Sequence, residues 1–208
     1  MARKTAGNAW QWSRTAETRK VLLRSARQVF AERGFAGASV ADVVERAGSS
    51  VGSLYHHFGG KAELFLALWH HYQDAQEERA AGAVAKARAR GGEDPLVLFV
   101  AGARAYLAGS WEQRDLARLF IDGDGPPGFE VTRRTRGHEW VRQNAVLLGT
   151  SAAPADRLTV AVLTTIIGEA AREIATCGSR DEAHTLTDAA IRLIRRLDPL
   201  RGDGEPAG

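Results

Sequence analysis

Cysteine is almost missing from this chain: Cys177 is the one thiol in 208 residues. An intramolecular disulfide and a cysteine-based zinc site within one chain are both excluded. Proline is scarce too, at six residues. Long helical patterns run uninterrupted, and an all-α fold is expected. No apolar run approaches the length of a membrane span. The N-terminus, M-A-R-K-T-A-G-N-A-W-Q-W, has basic residues with no apolar core behind them, so it does not read as a signal peptide. A cytoplasmic protein with no membrane partner is expected. Other catalytic signatures are missing as well: there is no phosphate-cradling glycine loop and no H-E-x-x-H. The pairs His56-His57 and His70-His71 are adjacent, so on a helix they point about 100° apart and do not chelate together. Asp122 and Asp124, in I-D-G-D-G-P-P-G-F, lack the later ligands of a calcium loop. A plain loop is expected there, and no metal, cofactor or catalytic residue is assigned.

What is present begins with charge asymmetry. Residues 1–61 hold ten Lys or Arg against four Asp or Glu, a net of +6, and the remainder holds eighteen against twenty-one, a net of −3. A basic end joined to a mildly acidic body suggests a polyanion-binding part and a part with other work. The 44% apolar fraction argues against a disordered chain.

Within the basic end, Ser39 to Lys61 reads S-V-A-D-V-V-E-R-A-G-S-S-V-G-S-L-Y-H-H-F-G-G-K. Val40, Val43, Val44 and Ala47 recur at helical spacing behind Ser39, a capping residue, and Asp42 stands where a capping box has its acid. Gly48 provides the left-handed stop. Ser49 or Ser50 can then cap a second helix with Val51, Leu54, Tyr55 and Phe58 on its apolar face. Two short helices around a glycine turn make a helix-turn-helix. The outer face of the second helix, Ser50, Gly52, Ser53, His56 and His57, has no acid, which suits the edge of a nucleic-acid groove. Ahead of it, Glu17 to Arg33 carries the stripe Leu22, Leu23, Ala26, Val29 and Phe30, ended by Gly34.

The run A-G-S-S-V-G-S-L-Y-H-H-F-G-G-K-A-E-L, preceded without a gap by R-Q-V-F-A-E-R-G-F-A-G-A-S-V-A-D-V-V, resembles the DNA-binding signature of the TetR family of transcriptional regulators. The resemblance covers roughly the first third of the chain. It implies that Ser39, Ser49, Ser50, Tyr55, His57 and Lys61 hold phosphates while Val51, Gly52, Ser53 and His56 face base edges. Arg19 is a phosphate contact by the same analogy, with a plain surface arginine as the alternative. The serine usual ahead of the next helix is Gly60 here. The resemblance also implies a homodimeric repressor on a palindromic double-stranded operator, released by a small-molecule effector. An activator, a partner-controlled regulator and a small-molecule-binding helical enzyme remain as alternatives.

Four parts are expected: a flexible basic arm over 1–15, a three-helix DNA-binding domain over 16–62, a helical effector-binding and dimerisation domain over 63–198, and a flexible tail over 199–208. A long connector helix runs from Lys61 to about Arg90. Further helices follow from Pro95, from Gln113 to Ile121, over 129–148, from Ala155 to Thr176 and from Arg180 to Leu197. Phe99, Tyr106, Trp111, Phe120 and Trp140 are candidates to line an apolar pocket, with Arg104, Arg118, His138 or Asn144 as orienting groups. Ordinary core is the alternative for each aromatic. The last two helices are apolar over more than one stripe and call for a second neighbour. A second copy of the chain would meet Leu158, Val162, Ile166, Leu186, Ala190, Leu193, Ile194 and Leu197 in a four-helix interface.

Overall fold

The structure, a computed structural model, describes residues 3–121 and 123–197, with side chains from Thr15 onward. Among the described residues there are nine α-helices and no strand. They are α1 (Arg3–Gly37), α2 (Val40–Ala47), α3 (Val51–Phe58), α4 (Lys61–Ala89), α5 (Pro95–Glu112), α6 (Arg114–Ile121), α7 (Phe129–Leu148), α8 (Pro154–Thr176) and α9 (Arg180–Arg196). The backbone of α1 starts earlier than the apolar period at Glu17, because that period marks a buried face and not helicity itself. The side chains of the expected basic arm, up to Arg14, lie outside the described residues, as does the tail over 199–208.

The chain forms two compact units. One is Met1–Tyr72 together with Asp122–Pro127, and the other is Gln73–Ile121 with Gly128–Gly208. The boundary falls inside α4, whose first three turns bury Leu64, Phe65, Leu68, Trp69 and Tyr72.

In the first unit, α1 contributes Leu22, Ala26, Val29 and Phe30, all essentially inaccessible. Phe30 and Phe35 each meet the Phe65 ring edge-on, with centroids 5.4 and 5.2 Å away. Val43 and Val44 of α2 and Leu54 of α3 complete the core. In the second unit, α5, α8 and α9 pack through Phe99, Leu107, Val160, Leu163, Ile174, Ile191 and Ile194. Gln76, fully buried on α4, donates to Ser110 Oγ at 3.0 Å and to the Tyr106 carbonyl at 3.3 Å.

Candidate nucleic-acid interface and ligand cavity

Helix α2 begins with a complete capping box. The Ser39 hydroxyl accepts the Asp42 N–H at 3.1 Å, and Asp42 accepts the Ser39 N–H at 2.9 Å. Ser39 Oγ also donates to Asp42 Oδ2 at 2.7 Å, so both functions of this hydroxyl are engaged within the helix end. That bond, with Arg33 ion-paired at 2.7 Å, holds the Asp42 carboxyl below its ordinary range. Arg46 grips Glu32 through two bonds of 2.7 and 2.8 Å, joining α2 to α1.

Gly48 adopts the left-handed conformation (φ 58°, ψ 35°), and the Ser49 N–H returns to the Val44 carbonyl at 2.9 Å. This is the stop the glycine is needed for. Ser50 caps α3 by accepting the Ser53 N–H at 3.2 Å, which leaves its own O–H available to an outside acceptor. Leu54 is then fully buried, while Val51 (47% exposed), Gly52, Tyr55 (53%) and His56 face outward, with Ser53 and His57 half-buried. A Cβ on Gly52 would meet nothing within 4 Å, so a partner can approach the backbone there. No carboxylate belongs to α3. Burial, followed by the nearby His56 and Arg19 charges, pushes His57 below its usual value. The shift favours the neutral imidazole, which can present an N–H without bringing a charge. The Arg19 guanidinium sits 4.8 Å from the Phe58 ring centroid.

Lys61 has a second occupation. Its ammonium donates to the carbonyls of Phe35 and Ala38, each at 2.9 Å, and lies 4.4 Å from the Phe35 ring centroid. One of its three N–H groups remains for another acceptor. Asp124 holds the other side of the same turn. Its carboxylate accepts the Phe35 N–H at 2.9 Å and the Ala36 N–H at 2.6 Å. Gly34, at φ 69°, breaks α1 there, and a Cβ on it would lie 2.9 Å from Asp124 Oδ1. Sequence reasoning left Asp124 in a plain loop. No local signal marks a carboxylate whose partners are 88 and 89 residues away.

The second unit contains a cavity of about 990 Å³ between α4, α5, α7 and α8. Of the nine candidate ligand residues, Phe99, Tyr106, His138, Trp140 and Asn144 line it. Tyr106 and Trp140 meet edge-on with centroids 5.6 Å apart, and Asn144 donates to Thr164 Oγ1 at 3.0 Å. The other four are elsewhere. Arg104, paired with Asp188 at 2.7 Å, and Trp111 line a smaller pocket of about 210 Å³ against α9. Phe120 is buried beside Phe129. Arg118 donates to the Ala175 carbonyl. Val84, Ala103, Val141, Leu147 and Ile167 also line the large cavity, as do Arg88 and Arg134, which sequence reasoning did not place in the pocket.

The candidate interface residues also divide. Ala190 and Ile194 are buried inside their own unit. Leu158 (66% exposed), Val162, Leu193 (51%) and Leu197 face outward, with Ile166 and Leu186 half-buried. Among the described residues no group of three or more potential ligands could hold a metal ion, and no helix is long and apolar enough to cross a membrane.

Residues 22–68 match the family model described as bacterial regulatory proteins, tetR family. The chain is 49% identical over 51 residues to the HTH-type transcriptional repressor AcnR of Corynebacterium efficiens, covering 24% of this chain and 27% of that protein. It is 41% identical over 58 residues to the HTH-type transcriptional activator FasR of Mycolicibacterium smegmatis, covering 28% and 26%. The matched stretch thus spans about a quarter of the length of these relatives. The crystal structure of a TetR-family transcriptional regulator from Pectobacterium atrosepticum aligns over 94% of this chain and 98% of its own, with a TM-score of 0.56 and 26% identity.

Proposed function

We propose that this chain, a member of the tetR family of bacterial regulatory proteins, is a sequence-specific DNA-binding transcriptional regulator that works as a homodimeric repressor in the cytoplasm. The observation that carries the reading is α3: a capped eight-residue helix, free of carboxylates, that turns Val51, Gly52, Tyr55 and His56 outward over a buried Leu54. In this reading α3 enters the major groove, with Val51, Gly52, Ser53 and His56 at base edges. Ser49, Ser50, Tyr55, His57, Lys61 and Arg19 meet phosphates. The resemblance also gave Ser39 a phosphate, but its hydroxyl already serves the cap of α2, so its contribution is to set that helix end. One α3 reads only a few base pairs. Two copies, brought together by the outward faces of α8 and α9, would read a palindrome with half-sites about 34 Å apart. The cavity of the second unit is the effector site. An effector that prefers the non-binding state by about 3 kcal/mol shifts the balance over a hundredfold.

Selection of random duplex DNA by the purified protein tests the reading. An enriched palindrome is expected, with affinity falling steeply as salt rises. Failure to enrich any sequence at low salt, after refolding to strip bound ligand, would sink it. FasR, an activator 41% identical over 58 residues, supports a second sign of control. Transcription in vitro from the selected operator decides, repression being the outcome expected here.

A further inference from the structure

The run Arg133-Arg134-Thr135-Arg136-Gly137-His138 sets four basic side chains within two turns of α7, and their surroundings separate them. Arg133 is tied to Glu130 at 2.7 Å and to the carbonyls of Phe120 and Ile121. Arg136 is tied to Glu77 at 2.5 Å and to Glu139 at 3.0 Å, with its guanidinium 5.6 Å from the Trp140 ring centroid. Arg134 and His138, one turn apart, line the large cavity instead. Among the described residues neither has a carboxylate within ion-pair distance, and the same holds for Arg88, the third basic group in the lining.

The acids of the lining are in the opposite condition. Glu77 accepts from Arg136 and from Gln143, and the first of these bonds holds its carboxyl below the ordinary range. Glu169 is paired with Arg172 at 3.3 Å. A cationic ligand would therefore find each carboxylate already occupied. A neutral one would cover Arg134 without giving it a partner, which costs free energy as water leaves. An anion completes the site.

The geometry points to an anionic amphiphile as the ligand. Its apolar body lies along Val84, Ala103, Trp140 and Ile167, and its carboxylate or similar group is held by the Arg134 fork with His138 beside it. The volume of about 990 Å³ admits a body of drug or lipid size. This deepens the reading of the cavity as the effector site and rests on it.

The test uses the full-length protein and matched probes below their aggregation limits: decanoate, 1-decanol and decylammonium, then 2-naphthoate and 2-naphthylmethanol. Affinities are read by calorimetry. The carboxylate of at least one pair should bind roughly tenfold or more tighter than its uncharged or cationic counterpart. Arg134→Gln should remove that preference while leaving the alcohol's affinity in place, and Arg134→Lys should restore part of it. Which carboxylate wins tells an alkyl body from an aromatic one, and either result supports the anionic class. Equal or tighter binding of the alcohol or the ammonium overturns the class, as does a carboxylate preference that survives Arg134→Gln. If no probe of any charge binds, the effector-site reading itself falls and the class with it.

Discussion

Two side chains in the first unit illustrate how a short polar contact sets the posture of a much larger element. Ser39 and Asp42 close the N-terminus of α2 reciprocally. Ser39→Ala should cost about 1 kcal/mol in urea unfolding, typical of a lost serine cap. Asp124 does comparable work from a distant part of the sequence by gathering the amides of Phe35 and Ala36. Asp124→Ala should lower stability by about 1 kcal/mol, at the weak end for charge-assisted bonds because the site is exposed. It should also loosen DNA binding, since the turn it holds precedes α2 directly. Gly34→Ala should destabilise as well, because a Cβ there would lie 2.9 Å from Asp124 Oδ1 at a φ of 69°. An Asp124→Ala protein with unchanged stability and unchanged operator affinity would contradict both points.

Among the helices, α5 leaves no room for a methyl group where Gly109 faces α4. A Cβ on Gly109 would fall 2.1 Å from Gln76 Oε1 and 2.8 Å from Arg79 Cδ. Gly109→Ala should therefore dislodge the buried Gln76 from Ser110 and cost about 1–3 kcal/mol, the usual range for overpacking; a melting temperature equal to wild type would refute it. The outward faces of α8 and α9 offer a different test. Leu158→Glu with Leu193→Glu should leave helical ellipticity intact, since both side chains are already half or more exposed. The pair should sediment as a monomer and bind the palindrome far more weakly. These elements were largely legible beforehand, because a stripe such as Leu22, Ala26, Val29 and Phe30 states which side of a helix is buried. Periodicity does not state which interior surface a residue reaches. Tyr106 and Trp111 looked equivalent, yet one lines the large cavity and the other the smaller pocket. The basic run on α7 was equally opaque, because Glu77, 59 residues before Arg136, decides which arginine is left over. The caps of α2 and α3 were readable because their chemistry lies within three residues.

Across the chain, carboxylates held by guanidinium or hydroxyl groups set the response to acid. Glu77 is depressed by Arg136, Glu32 by Arg46, Asp42 by Ser39 and Asp188 by Arg104. Each folded-state value lies below the unfolded one, so the stability they contribute is complete above the ordinary range. It is lost as pH falls through the lowered values. His57 is depressed too, so an unfolded chain takes up its proton first and stability starts to decline below the ordinary histidine value of 6.5. Urea midpoints should be level from neutral to mildly alkaline pH, drop slightly below 6.5, then fall steeply below the ordinary glutamate value of 4.5. A midpoint that rises on acidification would contradict this. The grouping of Asp122–Pro127 with Met1–Tyr72, apart from the segments that flank it in the chain, bears on how such proteins can be recombined. The first unit is not a cassette to be cut at a single joint. A chimera that transplants residues 1–72 onto another regulator's body would arrive with the amides of Phe35 and Ala36 bare, unless the recipient's own loop supplies the carboxylate.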